Sequence, residues 1–209
     1  MRRETTENSI AIVEALGNGE WAVRWDFKPK YDSEGQETGV YWYEEERLLH
    51  IPQLDEIKVM ITEWQNLQVD GEILTGCRWN GMQIWLSMEN QFNYKSVFDL
   101  AAMTEPQVQA WDEAHPELAG QNYTMQTATN EDGETIEVPV STGRPKSVLP
   151  VQFKFGTDDE PQYHQFTTLE ELTEFYIYTM SYIQGCYTAG WARKDTFDYT
   201  PYEQAIAAL

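Results

Sequence analysis

The sequence predicts an α+β fold, on three observations. Runs of alternating aromatic and polar residues mark strands, most clearly at Trp21–Phe27 and Leu149–Phe155. Glycine-centred turns such as Gly17-Asn18-Gly19 and Asn80-Gly81 join strands into hairpins. Pro52, Ser87 and Thr168 each stand at the head of a run with helical spacing. The expected architecture is an N-terminal antiparallel β-meander plus helix over residues 1–70. Residues 71–209 follow as β-hairpins packed with capped helices, with an insertion at about 118–148.

The elements follow in chain order. Ile10 to Leu16 is an apolar run, closed by the Gly17-Asn18-Gly19 turn. Trp21, Val23, Trp25 and Phe27 then share one face of a strand, with Glu20, Ala22, Arg24 and Asp26 on the other. Pro29 to Gly39 is polar and turn-rich, hence a loop, and Val40 to Tyr43 completes a three-stranded meander. Pro52 opens a helix whose inner stripe is Leu54, Ile57, Ile61 and Trp64; Asp55 and Glu56 suit its N-terminal dipole.

Ile73–Trp79 and Met82–Leu86 read as two short strands around Asn80-Gly81, which suits a turn needing two positive φ angles. Ser87 caps a helix to about Ala102, with Met88, Phe92, Phe98 and Ala101 inside. Thr104, Pro106 and Gln107 start another, ending near His115-Pro116. Within the insertion, Tyr123–Thr129 pairs with Thr135–Val140 around Asp132-Gly133. Leu149, Val151, Phe153 and Phe155 alternate in a strand that returns as Gln162–Phe166. Thr168 to Glu171 is a capping box for a long helix with Leu172, Phe175, Tyr176, Ile183 and Tyr187 near one face, fading at Gly185 to Gly190. Thr200 to Glu203 repeats the box and opens a terminal helix to Leu209.

Composition narrows the function. With 35 acidic against 14 basic residues the net charge is −21, which repels nucleic-acid phosphate and anionic membrane surfaces. No nucleic-acid or membrane partner is expected. Cys77 and Cys186 lie outside any Cys-x-x-Cys pair and read as buried thiols of a reducing compartment. The start of the chain lacks a signal-peptide core, and no window reaches the roughly 20 apolar residues of a membrane helix.

Chemical motifs are scarce. His50, His115 and His164 are the only histidines, and no Gly-x-Ser-x-Gly elbow or catalytic-cysteine signature accompanies them. Asp112, Glu113 and His115 are sequence neighbours, but a helix splays such residues apart. Asp158-Asp159-Glu160 lacks the alternate-position acids of a calcium loop, and phosphate-binding glycine patterns are missing. No catalytic, cofactor-binding or metal-ligating residue is expected, and the chain reads as a non-enzyme. Trp21, Trp25, Trp42 and Tyr43 cluster in the meander: Trp21 and Trp25 as core, and Tyr41 and Tyr43, on the face opposite Trp42, as exposed aromatics.

Two segments carry a resemblance. One is Trp79-Asn80-Gly81-Met82-Gln83-Ile84-Trp85-Leu86-Ser87, followed by Glu89-Asn90-Gln91-Phe92-Asn93. The other is Val151-Gln152-Phe153-Lys154-Phe155-Gly156-Thr157-Asp158-Asp159, with Phe166 and the helix from Thr168. Together they resemble a family of uncharacterised domains encoded by phages and prophages beside tail-fibre genes, labelled tail-fibre assembly or tail-associated proteins. The pattern covers about half the chain, leaves residues 1–70 outside and carries no functional residues.

This resemblance implies a structural or assembly (chaperone) protein of a phage tail that works by surface complementarity. Its partners would be other tail or baseplate proteins, and copies could repeat about a symmetry axis as a homo-oligomer. It would sit in the host cytoplasm during assembly, or in the virion. Two readings from other classes stand beside it: an acidic DNA mimic that inhibits a DNA-binding enzyme, and a glycan or cell-wall hydrolase with two close carboxylates.

Overall fold

The computed structural model describes residues 1–6 and 10–209. The fold is α+β: an N-terminal four-stranded antiparallel sheet, helices, and several β-hairpins packed against helices. The chain forms two compact units, Met1–Asp70 with Tyr187–Leu209, and Gly71–Cys186.

In the first unit, β1 (Arg2–Thr5), β2 (Val13–Gly17), β3 (Glu20–Tyr31) and β4 (Glu37–Leu48) form a sheet in the order β1-β4-β3-β2. The meander gains a fourth strand because β1 pairs with β4, Arg3 opposite Tyr43. Strand β1 has no apolar alternation to announce it; ionic contacts hold it, with Arg3 Nε 2.7 Å from Glu45 Oε1. The alternation along β3 breaks at Asp26, which takes φ 56° where the register with β4 shifts. The extra residue turns Phe27 away from Trp25, and its ring stacks on Tyr43 at 5.6 Å. Helices α1 (Leu54–Thr75) and α4 (Thr200–Ala207) supply the rest of a core built on Val13, Val23, Trp25, Ile57, Ile61 and Tyr202.

Helix α1 outlasts its expected end. Ile57, Ile61, Gln65, Val69 and Ile73 are all buried at four-residue spacing, so Ile73–Thr75 belong to the helix and not to a strand. Leu54 and Trp64 flank that stripe half-buried. Gly76 stops the helix at φ 75°, where an added Cβ would lie 1.9 Å from the Ile84 carbonyl oxygen.

In the second unit, β5 (Cys77–Trp79) and β6 (Met82–Ile84) form the Asn80-Gly81 hairpin, with φ 49° and 81° at the two turn residues as that turn requires. Ser87 caps α2 (Met88–Ala114), its hydroxyl accepting from Asn90 N at 3.2 Å. This is one helix where the sequence suggested two. The Thr104 hydroxyl donates back to Leu100 O at 2.9 Å and so does not cap, and Pro106 sits inside the helix. Tyr94, Ala101 and Val108 form the buried face at seven-residue spacing.

Strands β7 (Tyr123–Thr129) and β8 (Thr135–Ser141) form the inserted hairpin, and β9 (Val151–Gly156) pairs with β10 (Pro161–Phe166). Phe153, Phe155 and Phe166 meet Tyr94, Trp79 and Phe175 in an aromatic core with ring centroids 5.0 to 6.5 Å apart. Such pairs contribute about 0.5–1.5 kcal/mol each beyond their buried area.

Helix α3 (Leu169–Asp195) starts as foreseen, with the Thr168 hydroxyl accepting from Glu171 N at 3.2 Å. It then runs through Gly185 and Gly190 instead of fading there. Leu172, Phe175 and Ile183 are buried on it, whereas Tyr187 is exposed. The terminal helix begins differently from its expected box. Thr200 is its first residue, and the Asp198 carboxylate accepts from Thr200 N at 2.9 Å. Among the described residues no helix is long and apolar enough to cross a membrane.

Candidate functional site

The three histidines are dispersed, each with neighbours of its own. His50 Nε2 lies 3.0 Å from Glu56 Oε2 on an exposed surface. His115 stacks on Trp111 at 4.4 Å, its Nδ1 2.9 Å from Trp111 O. His164 Nε2 lies 2.8 Å from Glu171 Oε1, and the ring meets Trp79 edge-on at 5.0 Å.

The acidic candidates separate in the same way. Asp112 is gripped by Arg144, whose Nε and Nη2 each donate at 2.7 Å. Those hydrogen bonds hold the Asp112 carboxyl below its ordinary value, against a smaller opposing effect of desolvation. Glu113 accepts instead from the Gln109 side chain at 2.9 Å. Asp158 pairs with Lys154 at 2.9 Å. Among the described residues no group of three or more His, Cys, Asp or Glu side chains could hold a metal ion.

The meander aromatics meet expectation only in part. Trp25 is buried edge-on against Trp64 at 6.4 Å, and Trp21, half-buried, packs against the same core as expected. Tyr43 is buried and Tyr41 half-buried, where the sequence suggested exposure. The Arg24 guanidinium sits 5.9 Å from the Tyr43 ring. Trp42 is the aromatic dressed with charge: Arg2 lies 4.6 Å and Lys30 5.5 Å from its ring, and its indole N–H donates to Glu4 at 2.6 Å.

Two surfaces of the second unit stand out. The first is the outer face of α2. Met88 is 85% exposed, Phe92 73% and Met103 60%, on the side of the helix opposite Tyr94, Ala101 and Val108. The sequence placed Met88 and Phe92 inside, because each is apolar and fits the helical period. Only the neighbouring strands decide which apolar residues of the helix are covered.

The second surface is the β7–β8 ribbon, which stands on a fixed base. Arg144 ties the segment after β8 to Asp112 of α2, and Gly120 N donates to the same carboxylate at 3.2 Å. Thr142 Oγ1 donates to Gln121 O at 2.7 Å. Two turns earlier on α2, Glu105 accepts from Ser147 Oγ at 2.8 Å and Val148 N at 3.0 Å. An open groove of about 500 Å³ beside α2 is lined by Glu105, Asp112 and Leu149, so two of its carboxylates already hold the chain that bears the ribbon. Above that base Tyr123, Met125, Ile136 and Val140 are exposed.

Comparison of the chain with protein-family models, with curated proteins and with solved structures finds no match in any of the three.

Proposed function

We propose that this protein is a structural or assembly component associated with a phage tail, acting through protein–protein contacts and not through bond-making. The observation that carries the reading is the outward-facing pair Met88 and Phe92 at the start of α2, with Met103 further along the same face beyond the exposed Lys95–Asp99 ion pair, on a helix fixed from its other side by Tyr94, Ala101 and Val108. Large apolar side chains grouped on a rigid element mark a surface that another protein covers. Methionine suits such a surface because its unbranched thioether adapts to varied shapes. The tail context rests on the resemblance at Trp79–Asn93 and from Val151 to the helix at Thr168. The acidic surface suits tail or baseplate partners with a basic face.

The test is a photo-cross-linker, p-benzoylphenylalanine, in place of Phe92 during phage production. The expected product is a covalent adduct with a tail or baseplate protein. Adducts kept in purified particles identify a particle component; adducts found only in lysate identify a chaperone. Cross-linking to a DNA-processing enzyme alone, or turnover of glycan by the purified chain, would replace this reading.

A further inference from the structure

Among the described residues, the β7–β8 ribbon is a two-stranded sheet with no third strand on either side. An isolated hairpin of this kind is marginal in water, and an open strand edge is a template for pairing. The hydrogen-bond parity tells which groups face outward. Asn130 N donates to Glu134 O and Thr142 N to Asn122 O, so the pairs 122/142, 124/140, 126/138, 128/136 and 130/134 are the hydrogen-bonded ones. The alternate residues aim their backbone groups away from the ribbon. On β7 these are Tyr123, Met125, Thr127 and Thr129; on β8 they are Thr135, Glu137, Pro139 and Ser141.

The two edges are therefore unequal. Pro139 has no N–H and interrupts the outer edge of β8, which also carries Glu137. The outer edge of β7 keeps an unbroken row of donors, and β7 has no charged side chain and no proline. Such edges are normally blunted by charge, a bulge or a proline. Here β8 is blunted and β7 is not. Tyr123 and Met125, on one face of that open edge, are 62% and 58% exposed.

We infer that the outer edge of β7 is a strand-docking edge that takes an extended, basic segment of a partner protein. Main-chain hydrogen bonds from Tyr123, Met125, Thr127 and Thr129 would supply the pairing, and Tyr123 and Met125 the side-chain contacts. The charge of the partner follows from the ribbon itself. Between Tyr123 and Ser141 there are four acids, Glu131, Asp132, Glu134 and Glu137, and no Lys or Arg. A second copy, itself at −21, is repelled, whereas a lysine- or arginine-bearing strand is drawn in. The inference rests on the reading of this chain as a protein-binding component, but on a different element from α2.

The experiment uses the full chain labelled with ¹⁵N and two synthetic peptides matched in length to β7: alternating lysine and valine, and alternating glutamate and valine. The lysine peptide at about ten times its Kd should slow hydrogen exchange of the Met125 and Thr127 amides about tenfold. Glu137 on the β8 edge should be unaffected. Met125→Pro removes an outward donor without removing a bond inside the ribbon, and should abolish the effect. Thr127→Lys keeps every donor and should weaken the lysine peptide by charge alone. Equal protection by the glutamate peptide would overturn the inference. So would protection on β8, protection that grows with protein concentration without peptide, or no slowing at all. A Phe92 adduct alongside any of these would leave the protein-binding reading standing while the β7 edge fails.

Discussion

Gly190 of α3 is packed directly against Val69 of α1: an added Cβ would lie 2.3 Å from Val69 Cγ2. Val69 is buried and β-branched, so it has little freedom to move aside. Helix α3 thus keeps a glycine at a place where helix propensity argues against one.

The first prediction compares Gly190 with Gly185, which lies on the same helix with no atom of the described residues within 4 Å of an added Cβ. Gly185→Ala should stabilise by about 1 kcal/mol, the helix-propensity difference. Gly190→Ala gains the same propensity but overpacks at a cost of about 1–3 kcal/mol, so it should come out neutral to about 2 kcal/mol less stable. Adding Val69→Ala should recover the overpacking part. Urea unfolding of Gly185→Ala, Gly190→Ala, Val69→Ala and the double variant Gly190→Ala/Val69→Ala, followed by tryptophan fluorescence, checks the ordering, the recovery being read against Val69→Ala alone. A stabilised Gly190→Ala would show that the helices are not in contact there.

How far the sequence discloses the fold follows from where its physical signals reside. Asn80-Gly81 acts through its own φ angles, and Ser87 and Thr168 through hydroxyls that accept from a backbone N–H three residues on, so the turn and both helix starts are readable locally. Strand β1 is not readable, because its partners are Glu45 and Tyr43 some forty residues away and its own residues are polar. The continuation of α3 past Gly185 is hidden for a related reason. Propensity favours a stop, and only contacts such as Val69 with Gly190 override it. For the candidate surfaces, the β7–β8 hairpin is legible from Asp132-Gly133. The exposed face of α2 is not, since Phe92 and Tyr94 are equally plausible core residues until β9 and β10 cover one of them.

The second prediction concerns acid stability of the first unit. Glu45 is buried; burial by itself would raise its carboxyl, but hydrogen bonds from Arg24 and Arg47 and the charges of Arg3 and Arg24 outweigh this and hold it below the ordinary value. A carboxyl lowered by folding stabilises the fold above its unfolded value, about 4.3, and loses that contribution as pH falls through the lower folded value. Stability should therefore drop as pH falls below about 4.3. Glu45→Gln should remove much of that slope. At neutral pH it should cost about 3 kcal/mol, the low end for breaking a buried pair, because Arg24 keeps Glu14 and the Ala11 carbonyl. Thermal unfolding of both proteins between pH 3 and 7 makes the measurement. Parallel pH profiles would refute the assignment.

The third prediction tests whether the base of the ribbon is a clamp. Asp112→Ala removes the acceptor for both Arg144 donors and for Gly120 N. The aromatic core around Phe153 and Phe175 does not depend on that carboxylate. Limited proteolysis should therefore cut between Gly120 and Arg144 several-fold faster in the variant, while the rest of the chain stays protected. Asp112→Asn keeps one acceptor oxygen and should give an intermediate rate. Faster cutting throughout the chain would mean that Asp112 supports the whole unit and not the ribbon alone.

The fourth prediction uses the thiols as reporters of the second unit. Cys77 is buried on β5, and burial, with a smaller contribution from the charge of Cys186, pushes its thiol up to about 11. Reaction with iodoacetamide needs the thiolate, which at pH 8 would be scarce even if reagent could enter. Alkylation of the native chain at pH 8 should leave Cys77 unmodified over hours and should appear only as urea opens the fold. Phe155→Ala, which removes a fully buried ring packed on Tyr94 and Phe175, should destabilise by about 3–5 kcal/mol and bring labelling of Cys77 to lower urea. Mass spectrometry of the Cys77 peptide across the urea series gives the midpoint. Prompt native-state labelling would show that β5 opens on its own, without the aromatic core coming apart.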